Sequence, residues 1–158
     1  QLGALQGICK SENTELSYVK PHGALYNAMM KSDDIFVALL QALAKYDAKL
    51  PLMVMAVPDF ARYQKFASEY GITLLFEAFV DRTYQTDGRL TPRTEVNACH
   101  TDLEDICDQA VRLFKEQCVI SNDGTRVSIK ADTLCIHGDG ALAAEIAEVL
   151  KVRLAACK

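Results

Sequence analysis

The chain has 158 residues, half of them hydrophobic and 24% charged, with a formal net charge of −4. That composition fits a globular domain with one sizeable core and excludes a disordered chain; without a basic field to hold phosphate backbones, nucleic acid is excluded as a partner. No apolar run reaches the roughly 20 residues that span a bilayer: Leu50 to Val57 and Leu74 to Val80 are short and carry Pro51 and Glu77.

The chain opens with QLGALQGICK, an apolar-periodic stretch with no starting methionine and no cap, which reads as a helix entered midway. Glu15 to Lys20 (ELSYVK) has the β-branched and aromatic content of a short strand, ended by Pro21, which has no N–H for a ladder. After a turn and a helix, Ser32-Asp33-Asp34 supplies a cap and an acidic first turn, and Ile35, Leu39, Leu40 and Leu43 recur at helical spacing. Leu50 to Val57 (LPLMVMAV) is a continuous apolar run of strand length, the mark of a strand buried on both faces of a parallel sheet. Asp59 caps the next predicted helix, with Phe60, Tyr63, Phe66, Ala67 and Tyr70 on one face and Gly71 at its end.

Ile72 to Val80 (ITLLFEAFV) is the third predicted strand. From Asp81 to His100 periodicity vanishes, with a turn at Asp87-Gly88 and a proline at Pro92, and a loop of that length in a compact domain usually carries function. Thr101-Asp102 caps a long amphipathic helix through Ile106, Ala110, Leu113 and Phe114, a pattern that takes in Cys107 and Cys118. A polar turn at Asn122-Asp123-Gly124, a short RVSI, a strand over Thr133 to Asp139 and a helix from about Ala141 to Ala156 complete the chain. Strands alternating with helices predict a single α/β domain over residues 1–158, with a parallel sheet and right-handed crossovers.

The six cysteines are irregularly spaced and read as free thiols in a reducing cytoplasm; Cys99-His100 alone is a weak metal signal. The informative feature is where the other polar residues fall. Lys20 and His22, then Glu77, Asp81 and Arg82, then His137 and Asp139 all lie at or just past the C-terminal end of a predicted strand, the edge where parallel α/β folds bind ligands. His22-Gly23 and His137-Gly138 repeat one motif, and Asp139 stands beside the second histidine as a carboxylate that could orient it. Glu77 inside so apolar a run needs a partner such as Arg82 or Lys20, or a pocket. Asp81 and Arg82 can equally be an ion pair holding the loop. Tyr84, Arg89 and Arg93 could clamp a substrate carboxylate or simply solvate the loop, and Tyr26 and Asn27 lie on the helix after His22, where they could bind ligand or pack.

Three blocks, VKPHGALYN, FEAFVDRTYQTDGRLTPR and LCIHGD, resemble in order and spacing the signature blocks of the LamB/YcsF family, the A subunits of 5-oxoprolinase. The resemblance implies an irregular parallel (β/α) barrel related to the glycoside hydrolase and deacetylase barrels, a bacterial cytoplasmic setting and a part in the ATP-dependent opening of 5-oxoproline to L-glutamate with subunits B and C. Carried onto this sequence, it places Lys20, His22, Glu77, Asp81, Arg82, Arg89, Arg93, His137 and Asp139 in the pocket. The resemblance departs after His137-Gly138-Asp139, where Gly140-Ala141 replaces the usual Asn or Thr followed by Pro. An acidic block near DLNCDLGE and a later HPGYPD block are also missing. Since a closed barrel takes about 250 residues and eight strands, the chain is expected to be the C-terminal portion of a longer protein, inactive alone, with open strand edges prone to pair with a second copy.

On this reading an arginine among Arg82, Arg89 and Arg93 holds the substrate carboxylate, Lys20 stabilises developing oxyanion charge, and His22 or His137 moves protons. No Walker-type loop is present, so ATP is expected to be bound by other contacts or with the partner subunits. Two competing expectations are a metal-dependent, deacetylase-like hydrolase acting on carbohydrate, with a divalent metal on His22, His137 and Asp139, and a non-catalytic assembly module.

Overall fold

In the computed structural model, residues 1–138 and 143–157 are described. Among them the elements run α1 (Leu2–Ser11), α2 (Ala24–Met29), α3 (Asp33–Asp47), β1 (Leu52–Met55), α4 (Phe60–Glu69), β2 (Leu74–Phe79), α5 (Leu103–Glu116), β3 (Cys118–Ile120), β4 (Arg126–Ser128), β5 (Thr133–Cys135) and α6 (Ala143–Ala155). The fold is mixed α/β, with strands ordered β1-β2-β5 in one sheet and β3-β4 in a second. No described helix is long and apolar enough to cross a membrane.

The chain divides into two compact units, Gln1–Val54 with Ala61–Leu75 and Met55–Phe60 with Phe76–Lys158. In the first, the apolar face of α3 is its core: Phe36 and Leu40 are fully buried, and Phe36 meets the Tyr63 ring of α4 edge-on at 5.1 Å. The Tyr63 hydroxyl donates to the Met30 carbonyl, giving the buried phenol its partner. Arg62 pairs with Asp33 in the acidic first turn of α3, on the outside of the same packing. Gly71, at φ +67, carries the chain out of α4 in the left-handed conformation that glycine adopts without strain. The Glu15 to Lys20 segment is not a full strand: its pairing shrinks to a bridge between Val19 and Leu52, since Pro21 two residues on offers no donor to extend it.

In the second unit β2 and β5 are parallel, with Glu77 opposite Thr133, Ala78 opposite Leu134 and Phe79 opposite Cys135. Asp132 fixes that register: its N–H donates to the Phe76 carbonyl at 2.8 Å, and its carboxylate accepts the Phe76 N–H at 2.9 Å. Side chains alternate across a strand. Val80, with Leu134 and Ile136, accordingly belongs to the cluster built by Ile106, Cys107 and Ala110 of α5 and Ile146 and Leu150 of α6. Glu77, Phe79, Thr133 and Cys135 have the opposite parity. α5 starts on Asp102, whose carboxylate accepts the Glu104 and Asp105 N–H groups at 2.8 and 3.3 Å.

Two sequence expectations are corrected here. Cys118 is not helical: α5 stops at Gln117, which takes a left-handed conformation at φ 49, and Cys118 begins β3, paired antiparallel with β4. Of the strand expected over Thr133 to Asp139, the described residues form β5 only over Thr133–Cys135, so His137 stands past its end. All six cysteines are free.

Candidate functional site

The register of β2 and β5 decides what meets at their C-terminal ends. Glu77 faces Thr133 and Phe79 faces Cys135, so the next position of that parity on each chain is Asp81 and His137. They are in contact. His137 Nδ1 lies 2.7 Å from Asp81 Oδ2 and 3.0 Å from Oδ1. The imidazole stacks on Phe79, with ring centroids 5.5 Å apart and planes 19° from parallel, which fixes its tilt. Both side chains keep some access to solvent, 27% for His137 and 16% for Asp81. A carboxylate on Nδ1 selects the tautomer with hydrogen there and leaves the Nε2 lone pair as an acceptor in the neutral ring. Such a pair can take a proton at Nε2 and return it, the carboxylate stabilising the imidazolium between the two steps.

The loop from Asp81 to His100 supports this pair with bonds to itself. Arg82, 6% exposed, donates from Nε to the Ala98 carbonyl at 3.0 Å and from Nη2 to the Thr91 carbonyl. Thr83 donates its hydroxyl to the Asn97 carbonyl at 2.8 Å and accepts from the Thr91 hydroxyl at 2.8 Å, and Asn122 Nδ2 donates to Thr91 Oγ1 at 2.8 Å. Tyr84 is fully buried; its hydroxyl accepts the Phe79 N–H at 2.8 Å, and burial pushes its pKa well above the ordinary tyrosine range. The loop tip turns at Gly88, φ +77, where a Cβ would fall 2.4 Å from Pro58 Cδ.

The other expected residues are placed as follows. Glu77 is buried on β2, 4% exposed, with the same parity as Asp81. Arg89 and Arg93 are exposed on the loop, Arg89 beside Asp87 at 3.7 Å. In the other unit Lys20 and His22 are exposed on the segment that follows Val19; Lys20 Nζ stands 5.4 Å from the centroid of the buried Tyr26 ring, and Asn27 is exposed on α2. Asp139 lies outside the described residues. Among those described, no group of three or more His, Cys, Asp and Glu side chains is arranged to hold a metal ion.

Sequence reasoning missed Gln109, and it weighed His100 only with Cys99 as a weak metal signal, whereas His100 pairs with Gln109. Gln109 is 3% exposed, and its Nε2 lies 2.9, 3.0 and 2.8 Å from the carbonyl oxygens of Phe79, Val80 and Arg82. Its Oε1 is 3.3 Å from His100 Nε2. The signal was present: Gln109 is three residues after Ile106 and four before Leu113, a lone amide on an otherwise apolar stripe.

The LamB/YcsF family profile matches residues 1–158. The chain is 48% identical over 139 residues to the 5-oxoprolinase A chain of Vibrio vulnificus, covering 88% of this chain and 56% of that one. The corresponding 5-oxoprolinase A chain of Pseudomonas fluorescens is 44% identical over 155 residues, covering 98% of this chain and 61% of that one. The crystal structure of a lactam utilization protein from Thermus thermophilus superposes with a TM-score of 0.87 at 35% identity, over 99% of this chain and 61% of the other. The chain thus spans somewhat over half the length of these relatives.

Proposed function

The chain belongs to the LamB/YcsF family, and from that premise we propose that it forms part of the A component of a 5-oxoprolinase, which acts with subunits B and C to open 5-oxo-L-proline to L-glutamate with hydrolysis of ATP. The observation that carries the chemistry is the Asp81 carboxylate on His137 Nδ1 at 2.7 Å, past the ends of two parallel strands. Opening the lactam forms a bond from a water oxygen to the ring carbonyl carbon and breaks that carbon's bond to nitrogen. One water proton must leave as attack proceeds, and one must reach the departing nitrogen. His137 Nε2 takes the first and supplies the second, and Asp81 holds the ring in the tautomer that permits both. Phosphorylation of the amide oxygen by ATP releases ADP and makes the carbon a better electrophile; loss of the ring nitrogen then leaves an acyl phosphate, and a second water cleaves it to the carboxylate and free phosphate. Arg89 and Arg93, exposed on the loop that follows Asp81, are the arginines proposed to hold the substrate carboxylate.

The test is ATP-dependent glutamate formation by the full-length protein in complex with B and C. His137→Ala is expected to lower kcat by about 10²- to 10⁴-fold, the usual range for a positioned acid–base group, with little change in melting temperature. A kcat equal to wild type would remove His137 from the reaction. His22→Ala and Lys20→Ala in the same assay decide whether either of those residues contributes.

A further inference from the structure

We propose that Gln109, gripped by His100, is the positioning residue that sets Asp81 against His137, an inference that rests on reading that pair as the proton-transfer group. The ladder between β2 and β5 ends as the Val80 N–H reaches the Cys135 carbonyl at 3.1 Å, so Asp81 lies one residue beyond the last bond of that ladder. A carboxylate there would swing unless something else fixed its backbone. Gln109 supplies that from the α5 side, while the bridge between Arg82 and Cys99 holds the outgoing backbone. Its Nε2 meets the carbonyls of Phe79, Val80 and Arg82 at 2.9, 3.0 and 2.8 Å, while the Asp81 carbonyl accepts the His100 N–H at 2.9 Å. Every carbonyl from residue 79 to 82 therefore has a donor from one of these two residues.

The orientation of the amide is forced. Turned over, Oε1 would face three carbonyl oxygens, so Nε2 points at the strand end and Oε1 points away, and His100 Nε2 must carry hydrogen to donate to it at 3.3 Å. Two N–H bonds shared among three acceptors hold a backbone position better than they hold any one carbonyl. A donor set of this kind beyond the functional pair orients that pair without touching substrate, as outer-shell partners commonly do.

A glutamine that merely satisfied buried carbonyls would affect melting and nothing else, so the readout is the His137 Nδ1–H proton. In the full chain with 15N-labelled histidine, wild type is expected to show this proton strongly downfield and protected from exchange, with Asp81→Ala and His137→Ala abolishing it and so assigning it. Gln109→Leu, close to isosteric, is expected to lose or broaden that resonance while the far-ultraviolet circular dichroism stays that of wild type. Should Gln109→Leu not fold, His100→Ala removes only the grip on the amide oxygen, keeps the backbone N–H, and is expected to broaden the same signal. A sharp, unshifted Nδ1–H resonance in the folded variant overturns the proposal. The measurement uses no substrate, so absence of 5-oxoprolinase activity would count against the proposed function and not against this clamp.

Discussion

Arg82 separates two roles that one residue cannot easily share. If it held a substrate carboxylate, replacing it would raise KM and leave the fold untouched. The structure commits its guanidinium to the carbonyls of Ala98 and Thr91, with the residue 6% exposed. Arg82→Met keeps much of the side-chain volume and removes both bonds. Hydrogen bonds from a charged donor are each worth about 1.5–3 kcal/mol net, so the gross loss is about 3–6 kcal/mol. Two corrections reduce it: the Ala98 carbonyl still accepts the Thr83 N–H at 3.2 Å, and the variant no longer desolvates a guanidinium. About 2–4 kcal/mol should remain, which in a chain of this size lowers the melting temperature by about 5–15 °C. Thermal unfolding followed by circular dichroism, wild type against Arg82→Met, measures this directly. A melting temperature within about 1 °C of wild type, together with a large rise in KM for 5-oxoproline in the assembled enzyme, would refute the holding role and restore Arg82 as a substrate clamp.

Gly88→Ala combines a left-handed backbone with a Cβ placed 2.4 Å from the Pro58 ring; the expected cost is about 2–4 kcal/mol, and an unchanged urea midpoint would show that the loop tip does not rest on Pro58. Asp102→Ala removes the acceptor for the Glu104 and Asp105 N–H groups and should destabilise by about 1 kcal/mol, whereas Asp102→Asn should recover most of it, as equilibrium denaturation can check. Tyr84 gives a pH dependence of definite sign. Burial keeps its phenol protonated in the folded chain to higher pH than in the unfolded chain, so its contribution is intact below about pH 10 and falls as pH rises above that value. The absorbance of ionised Tyr84 should therefore appear only with unfolding, and wild type should lose more stability between neutral and strongly alkaline pH than Tyr84→Phe does; equal losses would place the phenol in contact with solvent.

The alternation of strands and helices was legible because burial imposes its period on the sequence: Leu52 to Met55 is apolar throughout and buried throughout, and Ile106, Ala110 and Leu113 mark the inner stripe of α5. What escaped lacked a local signal. Gln117 ends α5 in a left-handed conformation without the glycine that usually announces one, so the helical pattern ran on over Cys118 and β3 was not seen. The loop from Asp81 to His100 was legible as a place where polar residues gather. Its bonds were not, because Arg82 finds its acceptors nine and sixteen residues away and no period encodes such a distance.

The carboxylate on His137 makes the same point about the site. Sequence adjacency offered Asp139, but its place in the sequence says nothing of the strand that lies alongside. The carboxylate that meets the imidazole comes from that next strand, at a separation only the register reveals. Here Asp132, bonded twice to Phe76, sets that register, and a shift of one residue between β2 and β5 would turn Asp81 toward the α5 and α6 face and bury it among Ile106, Ala110 and Ile146. The apolar residues that make such a slip costly therefore also determine which carboxylate reaches the imidazole. Core packing and site chemistry here are two readings of one strand alignment, and residues that secure the alignment, Asp132 at its start and Gln109 at its end, should affect His137 without being near a substrate.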